Sequence, residues 1–278
     1  MNLLYKIRIL VFLSIVLLTG SATVSDDFIL LDQCGISNST FTNGETLTYK
    51  IYYNWGLLWV PAGEVVFSVG ENDQSYEMKA HGKTYRSYEK IFRVNDYFYS
   101  KTSKETLLPT NFVRIVEEGN YRLYDSVYFD QTKNVAVSYH GKTKETARPQ
   151  VHRLNHCMQD LMSNLYYMRN INTNQMQRGD KIPISMFFDK EVFPMNVTFG
   201  GKEQRDIKEL GEFNTLKMVP DLVGGNVFKK GDHMTIWVSD DQNKIPLMIE
   251  SPVSIGSVKA VLKSHRGLRH TLSARINE

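Results

Sequence analysis

The stretch FTNGETLTYKIYYNWGLLWVPAGEVVFSVG, residues 41–70, decides the fold. From Leu47 onward, Leu47, Tyr49, Ile51 and Tyr53 fall on one side of an extended chain, with Thr46, Thr48, Lys50 and Tyr52 on the other. A period of two belongs to a half-buried strand. The run Val60-Pro61-Ala62-Gly63 reads as a break. Beyond it Val65, Phe67 and Val69 alternate with Glu64, Val66 and Ser68 in a second strand bounded by Gly63 and Gly70. Two such strands in succession announce a twisted antiparallel sheet with one apolar face.

Working outward, the chain keeps this rhythm. Tyr76, Met78 and Ala80 mark a third strand, with His81-Gly82 as its turn. Residues 83–100 give one short helical turn (Tyr85, Tyr88, Ile91, Phe92) and then a strand from Val94 to Tyr99. Strands follow at Leu107 to Ile115, Asn120 to Asp130 and Lys133 to Tyr139, separated by polar turns. Around Val151 the period changes: Leu154, Met158, Leu161, Leu165 and Met168 recur every three to four residues, so His152 to Arg169 is expected to contain the one substantial helix. Lys181 to Asp189, Phe193 to Phe199, Lys202 to Glu209, Asn214 to Pro220, Met234 to Asp240, Ile245 to Glu250 and Ser257 to Ser264 alternate again, with Gly200-Gly201 read as a turn. The expected fold is mainly β: these strands in a strongly curved antiparallel sheet or incompletely closed β-barrel, with one substantial helix packed on its concave face.

The start of the chain reads as a secretory signal peptide over residues 1–22. Lys6 and Arg8 precede an apolar run from Ile9 to Leu18, and Gly20-Ser21-Ala22 supplies small residues for cleavage. The run is short for a membrane span, and Ser21 stands where a bacterial lipoprotein would carry its acylated Cys. An irregular arm (23–40), a single β-rich domain (41–265) and a C-terminal tail (266–278) follow. Of 278 residues, 33 are Lys or Arg and 30 are Asp or Glu; losing Lys6 and Arg8 takes the formal charge from +3 to +1. That balance argues against a nucleic-acid partner, which demands clustered cations. The expected location is exported, in the periplasm or cell envelope, with no transmembrane span in the mature chain.

The chain has two cysteines, Cys34 and Cys157. In an oxidising compartment they form a candidate disulfide, closing a loop that would stabilise by about 4 to 5 kcal/mol in the chain-entropy account. Two separate thiols are the alternative.

Chemistry-bearing motifs are scarce. His152, His156 and Cys157 form the best candidate for a metal set, but the third falls on a different side of a helix and no carboxylate completes a signature. Asp240-Asp241 lacks the alternating ligands of a calcium loop. Ser254-Ile255-Gly256-Ser257 resembles a nucleophile elbow only loosely, and Val223-Gly224-Gly225-Asn226 has no helix after it to cradle phosphate. No catalytic residue, metal ligand or cofactor is therefore assigned. The remaining signal is aromatic: Tyr49, Tyr52, Tyr53, Trp55 and Trp59 crowd one hairpin, Tyr97 to Tyr99 another, and Phe187, Phe188 and Phe193 a third. Tyr53, Trp55, Trp59 and Phe67 are the candidate residues for a lipid or other apolar ligand, and Trp55, Leu57, Leu58 and Trp59 a candidate exposed lip.

Read in order, Gly44-Glu45-x-Leu47-x-Tyr49, Pro61-Ala62-Gly63-Glu64, the run from Asp160 to Arg169, Gly211 to Pro220, Val227-Phe228-Lys229, Ile236 to Asp241, Lys244 to Leu247 and Gly256 to Leu262 resemble the exported bacterial proteins grouped as domain of unknown function 3108. The resemblance covers about residues 41 to 263. It implies an envelope location and a β-rich fold, and brings no catalytic residues. The functional expectation is a non-catalytic envelope protein binding an apolar ligand in the curved sheet. A structural or protein-interaction module in envelope assembly is the alternative, and an envelope enzyme without a recognisable motif the third reading.

Overall fold

In a computed structural model, the described residues are 35–55, 58–90, 92–155, 157–221, 233–252 and 256–276, with the Trp55 side chain excluded. The expected signal peptide, Cys34, most of the arm, His156, the Gly224-Gly225 pair and Ser254 lie outside them.

Fifteen strands form one sheet: β1 (Thr46–Trp55), β2 (Leu58–Glu71), β3 (Ser75–Thr84), β4 (Asn95–Ser103), β5 (Pro109–Glu118), β6 (Tyr121–Asp130), β7 (Val135–Gly141), β8 (Arg148–Arg153), β9 (Met158–Gln159), β10 (Lys181–Phe188), β11 (Glu191–Ile207), β12 (Gly211–Pro220), β13 (Thr235–Ser239), β14 (Pro246–Pro252) and β15 (Ser257–Arg266). The helix α1 (Leu161–Arg169) sits between β9 and β10. Sequence neighbours pair antiparallel in two meanders, β1 to β8 and β10 to β15. The meanders join where the first strand bonds to the last, β1 against β15. The two-residue β9 adds to β10 in parallel. The sheet ends at β8 and β9 and is not closed.

Three sequence expectations about turns are corrected. Val60-Pro61-Ala62-Gly63 is the interior of β2, not a break. Proline is tolerated there because β3 ends at Thr84, opposite Gly63, so Pro61 pairs with Tyr52 of β1 and has no β3 partner, while the neighbouring Ala62 carbonyl accepts from the Tyr85 N–H (3.0 Å). Ala62 is an extra residue, opposed by nothing as the register steps from Ile51↔Gly63 to Tyr52↔Pro61. His81-Gly82 lies within β3, where His81 stacks on Tyr97 at 4.1 Å and bonds Asn95 Oδ1 at 2.9 Å. Gly200-Gly201 is a bulge inside the 17-residue β11. Gly201 supplies its positive φ of 91°.

The helix is shorter than its apolar spacing suggests. Residues 148–153 are β8 and 158–159 are β9, so α1 runs nine residues from Leu161. The backbone at Cys157 is left-handed (φ 60°) and cannot be helical. Asp160 then resets the chain as N-cap: its Oδ1 accepts from the backbone N–H groups of Met162 (2.7 Å) and Ser163 (2.8 Å), and its own N–H donates to Ser163 Oγ (2.9 Å). Leu154 and Met158 are buried from extended backbone, at a spacing that mimics a helix.

Helix α1 packs on β3, β4 and β10, bringing the two meanders together. Met162, Tyr166 and Tyr167 enter a core with Met78, Phe112, Val127, Ile182, Phe187 and Phe199. A second core gathers Leu47, Tyr49, Phe213, Trp237, Leu247 and Leu262. The C-terminal tail of the expectation is held to β12: Asn214 N–H donates to Ala274 O (2.8 Å) and Ile276 N–H to Glu212 O (2.9 Å). At the C-terminus of α1, Arg169 forms a buried two-pronged pair with Glu45 (2.6 and 2.8 Å) and donates to the carbonyls of Asn243 (3.1 Å) and Thr40 (3.3 Å). That one guanidinium ties the helix, the start of β1 and the approach to β14.

Candidate functional site

Alternation on β4, β5 and β6 should send apolar side chains inward, and it sends Phe98, Val116 and Leu123 there. In phase with them are Asp96, Arg114, Glu118 and Asp125. The register sets Phe98 opposite Arg114, Arg114 opposite Asp125, and Asp125 opposite His140. Four strands thus carry one cross-strand row that ends in ionisable groups. Charged residues on an apolar face are the informative exception to burial.

All of these but Asp125 and His140 open onto a cleft of about 280 Å³. Asp96, Phe98, Arg114, Val116, Glu118, Tyr121 and Leu123 form one wall. The first residue of α1, Leu161, and the hairpin tip Phe188-Asp189 form the other. The tip is a two-residue turn in which Asp189 (φ 48°) and Lys190 (φ 67°) are both left-handed, as a hairpin matched to strand twist requires. It aims Asp189 at Arg114, and the two form an ion pair across the cleft.

Arg114 is 7% exposed. Its Nη2 also lies 3.5 Å from Asp125 Oδ2, and its guanidinium covers the Phe188 ring at 4.3 Å. The Nε of this buried side chain has no hydrogen-bond partner among the described residues, and neither has Asp125 Oδ1, which stands 3.6 Å from His140 Nδ1. Burial raises the Asp125 pKa despite the opposing pull of Arg114 and His140. Toward the mouth, Asp96 and Glu118 are joined by a side-chain hydrogen bond. Burial raises both carboxyls, and Glu118 is raised further by the charge of Asp96. Asp96 Oδ1 additionally accepts from the Glu117 N–H (2.9 Å).

A nucleophile-and-base distance also occurs nearby: Ser138 Oγ lies 2.8 Å from His152 Nε2. Ser138 is fully buried, so the contact fixes β8 to β7. Among the described residues no group of three or more His, Cys, Asp or Glu side chains is placed to hold a metal ion.

The residues singled out from the sequence are dispersed. Phe67 shares the face of Leu47 and Tyr49, stacking edge-on to Tyr49 at 5.5 Å, and helps line a crevice of about 30 Å³ beside Tyr166 and Arg169. The extra residue Ala62 inverts the phase of β2, so Trp59, opposite Asn54, falls on the other face, where Lys259 Nζ lies 4.2 Å over its ring. Tyr53 pairs with Val60 and Val258, and the Trp55 side chain is outside the described atoms. Of the candidate lip, Leu58 is 70% exposed. Cys157 is disulfide-bonded, and Cys34 lies outside the described residues. Sequence reasoning missed the Asp96, Arg114, Glu118 and Asp125 set; the signal was present as ionisable residues in phase with Phe98, Val116 and Leu123.

A family model, "Protein of unknown function (DUF3108)", matches residues 48–263. A search of curated proteins finds no match. Among solved structures, the chain is similar to a beta-barrel-like protein of domain of unknown function DUF1849 from Brucella abortus. The identity is 9%, the TM-score 0.54, and the match covers 82% of this chain and 98% of that one. That likeness concerns the fold alone. A "putative lipoprotein" from Parabacteroides distasonis aligns over 83% of this chain and all of that one at 12% identity, but with a TM-score of 0.29 it carries no argument.

Proposed function

The chain belongs to the DUF3108 family, and on that premise we propose that it is a non-catalytic protein of the bacterial cell envelope that binds a small ligand in the cleft between β4–β6 and the β10–β11 tip. The observation that carries the reading is the cleft itself: about 280 Å³ walled by Phe98, Val116, Leu123 and Leu161, with Arg114 and the carboxyls of Asp96, Glu118 and Asp189 on its lining. The cleft approaches the size of small-molecule sites and combines apolar walls with few polar groups, as such sites do.

The expected apolar ligand is accordingly moved and reduced in size. The crevice at Phe67, about 30 Å³, has room for a water or two rather than a lipid chain. The apolar part of the ligand lies instead against Phe98, Val116 and Leu123. Helix α1 is read as lying on the inner side of the sheet, where Leu161 walls the cleft. Export rests on the basic, apolar and small-residue order of residues 1–22. In that oxidising compartment Cys34 is the proposed partner of Cys157.

Native mass spectrometry tests the reading. Protein isolated from its own envelope should retain an adduct that is lost on unfolding and refolding, and Leu161→Trp, which fills the cleft, should lose it while keeping its circular dichroism. An adduct retained by the folded Leu161→Trp protein would place the ligand elsewhere. A second reading, an interaction module of envelope assembly, is favoured by the outer face of β4–β8, where Tyr97, Ile115, Tyr128, Tyr139 and Val151 are 38–68% exposed.

A further inference from the structure

We propose that the chain forms a two-fold dimer through the outer face of β4–β8, one sheet packed on the other, so that a second copy covers the surface opposite the cleft. The proposal names the partner for the interaction reading. It is independent of the cleft, whose residues project from the other side of the same strands. Strand register builds the outer face. Tyr99, Val113, Ser126, Tyr139 and Pro149 stand side by side as one row across all five strands. Tyr128, Val137 and Val151 form the next row on one side, and Tyr97, Ile115 and Tyr124 the next on the other. None of these side chains carries a charge at neutral pH.

The solvent side of an antiparallel sheet ordinarily alternates to polar residues. Here Tyr97, Ile115, Tyr128, Tyr139 and Val151 are instead left 38–68% exposed on it. Ionised side chains of the same phase begin only at the border, with Lys101, Asp130 and Arg153 toward one end of the strands and Glu117 and Arg122 toward the other. An apolar, tyrosine-rich centre inside a charged rim is the anatomy of a protein interface. At about 4.8 Å between strands and ~3.4 Å per residue, the uncharged rows cover roughly 500 Å² and the face with its rim roughly 700 Å². A standard interface buries about 600–1,000 Å² per partner, so the face reaches the lower end of what a stable dimer needs. Charge favours a copy of the same chain as the occupant. Both signs stand on the rim, so a half-turn can set the Glu117 border of one copy against the Lys101 border of the other. With 33 Lys and Arg against 30 Asp and Glu, little net charge holds two copies apart. Val151 lies on the edge strand β8, so the same contact shields an edge open to other chains.

Sedimentation equilibrium on the full chain decides it. The expected result is a reversible monomer–dimer equilibrium at micromolar concentration with no larger species, because a two-fold contact closes on itself. Tyr128→Glu should weaken the dimer at least about thirtyfold, the loss expected at one central interface tyrosine. Leu58→Glu, which adds the same charge at an exposed apolar residue outside the face, should leave it unchanged. Hydroxyl-radical footprinting of the wild-type protein sidesteps any folding defect of a variant: Tyr97, Tyr128 and Tyr139 should be oxidised several-fold more slowly in concentrated than in dilute protein. A chain that stays monomeric overturns the proposal, as does a dimer that tolerates Tyr128→Glu or is lost in Leu58→Glu, or one that leaves these tyrosines unprotected. Protection that appears only when envelope extract is added to a monomeric chain assigns the face to a different partner and overturns the second copy. The adduct test with Leu161→Trp stands apart from all of these, since Leu161 walls the cleft.

Discussion

Arg169 and Glu45 are 4% and 1% exposed, and their pairing leaves little of either charge unanswered. Burial disfavours the guanidinium, and Glu45, with the aromatic hydroxyls around it, more than restores it. Such a pair is weak evidence for net stability, but breaking it is costly because a charge is left buried alone. Glu45→Gln should therefore lower the unfolding free energy by about 3–5 kcal/mol, read as the urea midpoint. A change under 1 kcal/mol would show that water reaches Arg169. Neither partner was legible as a pair from the sequence: the whole first meander lies between them, and they meet only because α1 packs back across β3 and β4. Asp96, Arg114, Glu118 and Asp125 were legible in principle, because each interrupts an apolar alternation. The search for sequence motifs passed over them because their meaning depends on strand register rather than on spacing along the chain.

At the scale of elements, α1 shows why boundaries are harder to read than existence. The apolar spacing begins at Leu154, but the first residue able to satisfy the free N–H groups of a helix start is Asp160. Fully buried, Asp160 is pushed up to about 6 from 3.8, against the opposing bonds from Ser100 Oγ (2.6 Å), Ser163 and Met162. Its folded state thus holds a proton that the unfolded chain has released. Stability from this group is complete below about pH 4 and is lost as pH rises to about 6. Asp160→Asn keeps an oxygen for the two helix N–H groups and can donate to Ser100 Oγ. Relative to wild type it should gain about 2–3 kcal/mol between pH 4 and pH 7, by urea denaturation at each pH. An unchanged difference between the two pH values would mean that the cap titrates as an ordinary carboxyl. The strands teach the complementary lesson: alternation locates most of them, whereas Pro61, Gly82 and Gly201 read as punctuation. Each instead sits inside a strand, Pro61 where the neighbouring strand has ended and Gly201 where a bulge needs a positive φ.

For the whole molecule, the mainly β architecture was readable because hairpin after hairpin keeps one apolar face. The count was not, since β8 and β9 are short edge pieces without a clear alternation of their own. What the sequence could not convey is where the interior is filled and where it is open. The aromatic hairpin around Trp59 and Phe67 is split between two faces by a single extra residue, while the open space lies at the junction of the meanders, between Arg114 and the tip bearing Asp189. The account therefore turns on that cleft being occupied in the cell. The most direct measurement is a crystal structure of the protein isolated from its own envelope without unfolding. A bound molecule between Arg114 and the Asp96–Glu118 pair, its body against Phe98, Val116 and Leu123, is the expected result. A cleft holding solvent alone, with the molecule retained at Tyr53, Trp59 or Phe67 or on the outer face of β4–β8, would contradict it.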